Sequence, residues 1–252
     1  MPTSFPRLRD HLLDPSGGLV YHLRARRQRH RNWAAFHAAV AGWLDGWRIA
    51  EKELVIVGPN AGYALPGGFL SRFDGVVALE PDPLARHLLA RRHDATALRF
   101  DRLDSLRTPD GLAWLAARFP HAAFLFSNVL GQISAPAEDW SALLQRHLAG
   151  RTWASYHDVI STLTAPSNRD TLTITETESL ETTLARFWPG QALTVTDHAT
   201  FRLSGTGPFA YAPWPITGTR WHLVEWVAHR AQDQAQVLTR LPDDACPPAT
   251  LR

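Results

Sequence analysis

The stretch Leu54-Val55-Ile56-Val57-Gly58-Pro59-Asn60-Ala61-Gly62-Tyr63 is answered thirteen residues later by Val76-Val77-Ala78-Leu79-Glu80-Pro81-Asp82-Pro83. The first half is a short, β-branched apolar run that stops at a glycine, the pattern of a strand buried on both faces that enters a tight turn. The second is another apolar strand, and it ends on a carboxylate. The spacing predicts a short helical segment over 66–73, so the whole reads as one β-α-β unit. A glycine turn at the carboxyl end of a first strand lets a ligand approach the backbone. An acid at the tip of the next strand can accept both hydroxyls of a ribose and disfavours a 2′-phosphate. Together they predict a nucleoside-binding crevice.

The glycine spacing narrows the choice. A dinucleotide fingerprint, G-x-G-x-x-G, requires glycine at 58, 60 and 63, where this chain has Gly58, Asn60 and Tyr63. The pattern G-x-G-x-G requires 58, 60 and 62; Gly58 and Gly62 are present, and asparagine tolerates the left-handed backbone that the middle position needs. On these residues, with Glu80 at the second strand tip, the chain resembles the class I S-adenosylmethionine-dependent methyltransferases over roughly residues 49–229. The resemblance implies an α/β fold with a doubly wound, mostly parallel, seven-stranded sheet. It implies S-adenosylmethionine as cofactor, held by Gly58, Asn60, Gly62, Glu80 and Pro81, with Asp101 at the adenine and Ser127 and Asn128 near the amino-acid end. A looser similarity, through Val57-Gly58-Pro59, Leu65-Pro66 and Glu80-Pro81-Asp82-Pro83-Leu84-Ala85, is to nicotianamine synthases, which move the aminocarboxypropyl arm of the same cofactor. A binding protein with a worn crevice is the third reading.

The rest of the chain fits around that unit. Residues 1–16 are punctuated by Pro2, Pro6 and Pro15, with a short helix expected over 8–13. Gly17-Gly18 opens a long helical stretch in which Trp33, Phe36, Val40, Trp43, Leu44 and Trp47 recur every three or four residues, an amphipathic stripe. Its first half carries Arg24, Arg26, Arg27, Arg29 and Arg31. These are expected either to be solvated or, with Tyr21 and His22, to reach the substrate; Tyr21, His22 and Arg26 are the substrate-binding candidates. Asp82 and Pro83 start a helix to about 92. Further strands are expected over 95–100, 122–126 and 152–156, with helices over 109–119 and 136–149. A polar, threonine-rich stretch over 162–178 reads as an inserted loop or small hairpin. It is expected to act with the arginine-bearing helix as a lid that excludes water. A helix over 179–188 follows. Residues 192–203 and 220–229 alternate as an antiparallel pair that finishes the sheet, joined by a Gly/Pro-rich aromatic link. The organisation expected is an N-terminal helical extension or cap (1–48), one Rossmann-like domain (49–230) and a C-terminal tail (231–252).

Ligands in open α/β sheets sit beyond the carboxyl ends of the strands. There, His157 beside Asp158 is the expected catalytic pair, with histidine as general base. The Asn/Asp-Pro-Pro-Tyr/Phe motif of amino-group methyltransferases acting on adenine or glutamine is lacking, because the fourth strand ends Ser127-Asn128-Val129-Leu130. No Walker loop or Gly-x-Ser-x-Gly elbow occurs, and no acid or His/Cys cluster has metal-ligand spacing. The one cysteine, Cys246, allows no intrachain disulfide. Apolar residues make up 45% of the 252, ample for a core, yet no apolar run is long enough to span a bilayer. A cytoplasmic protein is therefore expected. The net charge of +2 comes almost wholly from arginine; it neither demands nor excludes nucleic acid. The ten tryptophans suit a pocket for a flat molecule, so the expected partner is a small aromatic or anionic substrate. Oligomeric state is left open.

Overall fold

The computed structural model describes residues 18–93, 97–101, 104–136, 138–203 and 208–231. The expected N-terminal lead-in and the C-terminal tail lie outside the described residues. Strand β1 (Glu53–Val57) pairs in parallel with β2 (Gly75–Leu79) and with β4 (Ala122–Ser127). β2 pairs with β3 (Leu98–Asp101), and β4 with β5 (Trp153–Thr162). Beyond β5 the sheet turns antiparallel through β9 (Trp221–His229), β8 (Phe209–Pro215) and β6 (Leu172–Ile174). The order is β3-β2-β1-β4-β5-β9-β8-β6, with β7 (Val195–Asp197) paired to the far end of β5. This is the expected doubly wound, mostly parallel α/β sheet. It has nine strands rather than seven, the two extra ones being three-residue additions.

Alternation along the buried strands feeds two cores. Leu54 and Ile56 join one with Phe36, Val40 and Leu44; Val55 and Val57 join the other with Leu115, Leu144 and Phe187. The first face is covered by α1 (Gly18–Gln28), α2 (Ala34–Gly46) and α3 (Pro83–Arg92). The second is covered by α4 (Gly111–Arg118), α5 (Trp140–Leu148) and α6 (Leu180–Phe187). Helix starts follow the sequence. Asp82, Asp139 and Ser179 each accept a hydrogen bond from a first-turn backbone N–H.

Three expectations change. The β1–β2 connection holds only a 3₁₀ turn, Leu70–Arg72, not a full helical segment over 66–73. The long N-terminal stretch is two helices broken over residues 29–33, because Trp33 leaves the α1 line to bury its ring and donate Nε1–H to Pro215 O at 2.7 Å. The third change is at the antiparallel edge. Residues 192–203 yield only β7, and the true partner of β9 is β8, inside the supposed link. Pro213 and Pro215 disguise β8 in the sequence. They are tolerated because β6 pairs only with 209–211, leaving the outer edge of the remaining residues without a strand partner among the described residues.

Leu44 is fully buried between α2 and the sheet. Leu44→Ala is expected to cost about 2–5 kcal/mol. Urea unfolding should show the midpoint falling with the m-value unchanged.

Candidate functional site

At the carboxyl ends of β1 and β4, where the strand order reverses, lies a cavity of about 790 Å³. The turn after β1 builds its floor. Gly58, Asn60 and Gly62 have φ of +65°, +52° and +64°. Three alternate residues are thus left-handed, which is why glycine or asparagine stands at each. A Cβ on Gly62 would lie 2.5 Å from Leu89 Cδ1 and 2.8 Å from His93 Nε2. Gly62 therefore shapes the turn against α3, whereas Gly58 and Asn60 line the cavity. Asn60 steadies its own turn by accepting Ala61 N–H on Oδ1 at 2.8 Å.

Glu80, at the tip of β2, is buried in the cavity wall. Its carboxylate accepts Asn60 N–H on Oε2 at 2.7 Å and Asp82 N–H on Oε1 at 3.0 Å. Burial pushes its pKa up to about 7, although these two N–H donors pull the other way. Pro81 lines the same wall. Asp101 does not; its carbonyl accepts Glu80 N–H at 2.9 Å, and the wall beyond β3 comes from Asp104, Ser105 and Leu106. The acid that lines the cavity is thus Asp104, three positions beyond the expected one. Asp104 is paired with Arg107 at 2.8 Å.

Ser127 and Asn128 close the floor after β4. Ser127 Oγ and Tyr156 OH lie 2.5 Å apart, and burial pushes the Tyr156 hydroxyl up to about 12. Asn128 is left-handed as well, with φ +52°.

The expected catalytic pair is split. β5 does not end at residue 156 but runs ten residues, so His157 and Asp158 fall on opposite faces. Asp158 lines the cavity. His157 is wholly buried away from it, with Nδ1 3.0 Å from Ser155 Oγ and Nε2 3.0 Å from Thr200 O and 3.3 Å from Glu225 Oε1. It ties β5, β9 and the 198–203 segment together and does not reach the cavity. Asp158 faces a histidine that sequence reading did not single out: Nδ1 of His222, on β9, is 3.0 Å from Asp158 Oδ2. A bulge in the β5–β9 pairing between Asp158 and Ile160 sets this meeting. No sequence spacing encodes it.

The opposite wall is aromatic. Tyr21, Phe36 and Trp214 line it, and Phe36 stacks on Trp214 at 4.6 Å and 11°. His37 adds a ring held neutral, its pKa lowered to about 4 by burial and by Arg92. Of the N-terminal candidates, only Tyr21 lines the cavity. His22 is spent on docking, with Nδ1 3.0 Å from Tyr63 OH and Nε2 3.1 Å from Asp82 Oδ2. Burial holds its pKa below the ordinary value against the pull of Asp82. Arg26 is exposed on the far side of α1, and Arg24, one turn from Tyr21, takes the lining position. The 162–178 loop does not reach this cavity; the turn between β8 and β9 does, through Ile216, Thr217 and Arg220.

No family model matches the sequence, and no curated protein matches it. Solved structures with a similar course include the DhpI–SAH complex, with 13% identity, TM-score 0.38, 82% of this chain and 92% of that one. The N-terminal domain of EvdMO1 with SAH bound gives 13%, 0.42, 77% and 81%. A SAM-dependent methyltransferase from Anabaena variabilis gives 15%, 0.41, 90% and 97%. Likenesses this distant say nothing of chemistry, which rests on the residues of the cavity.

Gly62→Val is expected to lose about 2 kcal/mol or more, combining a β-branched residue at positive φ with the clash against Leu89. Asn60→Gly should stay within about 1 kcal/mol of the parent. Thermal or urea unfolding of the two variants checks the contrast.

Proposed function

We propose that this chain is an S-adenosylmethionine-dependent methyltransferase acting on a small aromatic or anionic molecule. One observation carries the reading: a buried carboxylate, Glu80, is anchored by the backbone of a left-handed glycine turn at the sheet's switch point and opens onto the cavity. That is the chemistry a ribose diol requires, since two neighbouring hydroxyls can both donate to one carboxylate.

Whether the remaining residues fit the cofactor is tested by the polar atoms they leave over. Ser105 Oγ and Asn128 Oδ1, both lining the cavity, are buried without a hydrogen-bond partner among the described residues. Such atoms cost free energy unless a ligand satisfies them. In this reading Gly58, Asn60, Glu80 and Pro81 hold the ribose side. Asp104 and Ser105 take the adenine role first assigned to Asp101, and Ser127 and Asn128 hold the amino-acid end. When bound, S-adenosylmethionine supplies an electrophilic methyl on a sulfonium. The protein's share is alignment and exclusion of water. Tyr21, Phe36 and Trp214 form the dry wall that serves this, α1 and α2 act as the cap, and Arg24 and Arg220 at the rim suit an anionic substituent.

Calorimetry with S-adenosylhomocysteine tests the reading. Because Glu80 is protonated in half of the free protein near pH 7 and must be ionised to accept both hydroxyls, affinity should fall about tenfold per unit below that pH and level off above it. Glu80→Gln should weaken binding by roughly 1.5–3 kcal/mol and flatten the pH dependence. Absent binding, or binding indifferent to both pH and Glu80, overturns the reading. Product analysis separates methyl transfer, which leaves S-adenosylhomocysteine, from aminocarboxypropyl transfer, which leaves methylthioadenosine.

A further inference from the structure

We propose that His222, oriented by Asp158, is the general base of this cavity and that the group it deprotonates is a hydroxyl, so that the atom methylated is oxygen. The inference rests on the methyl-transfer reading above. Its evidence is separate, because it comes from the half of the cavity that Gly58 to Glu80 do not build.

Four observations converge. First, His222 Nδ1 approaches Asp158 Oδ2 at 3.0 Å, and Asp158 is buried to 1% exposure. The carboxylate calls for the proton on Nδ1, which leaves the lone pair on Nε2 of a ring that lines the cavity. The Nδ1 contact is an ion-pair approach without hydrogen-bond geometry as it stands, as is common for catalytic pairs without their ligand. Second, among the described residues the same wall carries further buried atoms without hydrogen-bond partners: Asp158 Oδ1, His198 Nε2 and Trp214 Nε1. The first can only accept and the last can only donate, so the ligand that meets them carries both functions, as a hydroxyl does. A hydroxyl is also the acceptor that needs a base, because its oxygen is a weak nucleophile until it loses its proton, whereas a neutral amine attacks through its own lone pair. Third, the ring of His198 stands 5.8 Å from that of His222, so a second imidazole flanks the base on the cavity side. Fourth, Phe36 and Trp214 stack into a flat apolar surface beside these groups, and Tyr21 closes over them. That shape fits a hydroxyaromatic.

The proton count agrees with this chemistry. The acceptor's O–H bond breaks and its proton passes to Nε2 of His222, giving an imidazolium that Asp158 compensates. The oxygen forms its new bond to the methyl carbon, and the pair of the broken C–S bond stays on sulfur as a neutral thioether. No other reactant is needed. Asp158 acts through His222 as a positioning residue, and its unpartnered Oδ1 remains for a hydroxyl of the ligand.

The test uses para-nitrophenol, whose phenolate absorbs in the visible, added to the full chain loaded with S-adenosylhomocysteine at a pH where free para-nitrophenol is mostly neutral. The proposal expects a phenolate band on binding. It expects the band to be lost in His222→Asn and weakened in Asp158→Asn, with S-adenosylhomocysteine affinity unchanged in both, which also reports an intact fold. With S-adenosylmethionine in place, methyl transfer to a hydroxyaromatic should drop about a hundredfold or more in kcat for His222→Asn, with little change in KM. No phenolate band in the parent protein, or a band that survives His222→Asn, overturns the proposal while leaving the cofactor reading intact. Failure of S-adenosylhomocysteine to bind the parent protein overturns both.

Discussion

A chain of hydrogen bonds running through the Glu80 carboxylate holds the site in shape. Asn60 N–H donates to one of its oxygens and Asp82 N–H to the other. Asp82 in turn caps α3 by accepting Leu84 N–H at 2.8 Å, and its second oxygen meets His22 on α1, whose other nitrogen meets Tyr63 just past the glycine turn. The turn after β1, the tip of β2, the start of α3 and the N-terminal helix are therefore tied through the side chains of Glu80, Asp82, His22 and Tyr63. Each of those polar groups is buried or nearly so, and buried polar groups are stable only when partnered. Removing the Glu80 carboxylate would thus leave two backbone N–H groups stranded. A local lesion here is expected to be felt in α1 as well.

That arrangement explains which parts were legible. β1, its turn, β2 and the capped start of α3 follow from local rules: a β-branched run, left-handed positions where glycine or asparagine must stand, an aspartate followed by a proline. Those rules act over a few residues, so the sequence displays them. They placed Gly58, Asn60, Glu80, Pro81, Ser127 and Asn128 on the cavity. What they could not place were residues whose position depends on strand length and pairing. A strand that ends at residue 156 would present His157 and Asp158 together, as one unit. Once pairing with β9 extends the strand, alternation sends one inward to Glu225 and the other to the cavity. His222 was invisible for the same reason, since its neighbour is fixed by a bulge 63 residues earlier in the chain.

β8 shows the opposite error. Two prolines inside a seven-residue segment speak against a central strand, and the local rule was right about the ladder. What decided the matter was topology. On one side β8 pairs along its whole length with β9, and on the other β6 covers only its first three residues. The prolines sit where no strand among the described residues asks for a donor. The same segment supplies Trp214, whose stacking on Phe36 joins the sheet edge to α2. An apparent linker is therefore half of the aromatic wall.

The cavity consequently has two origins. Its floor comes from the strand ends and turns of the parallel sheet, between Val57 and Ile133, while its far wall comes from α1 and α2 at one end of the described chain and from β8, β9 and their turn at the other. The two walls answer to different constraints. In the proposed reading the floor meets a fixed ligand, and its left-handed turn and buried carboxylate leave little freedom of sequence. In the same reading the far wall answers to whatever acceptor is bound. Its residues are held by packing, as Trp33 is by Pro215 and Phe36 by Trp214, which permits other shapes on the same frame. A resemblance carried by the glycine turn and Glu80 therefore speaks for the floor alone. The identity of the acceptor has to be read from Tyr21, Trp214, Asp158 and His222, residues that no local motif links and that only the folded chain brings together.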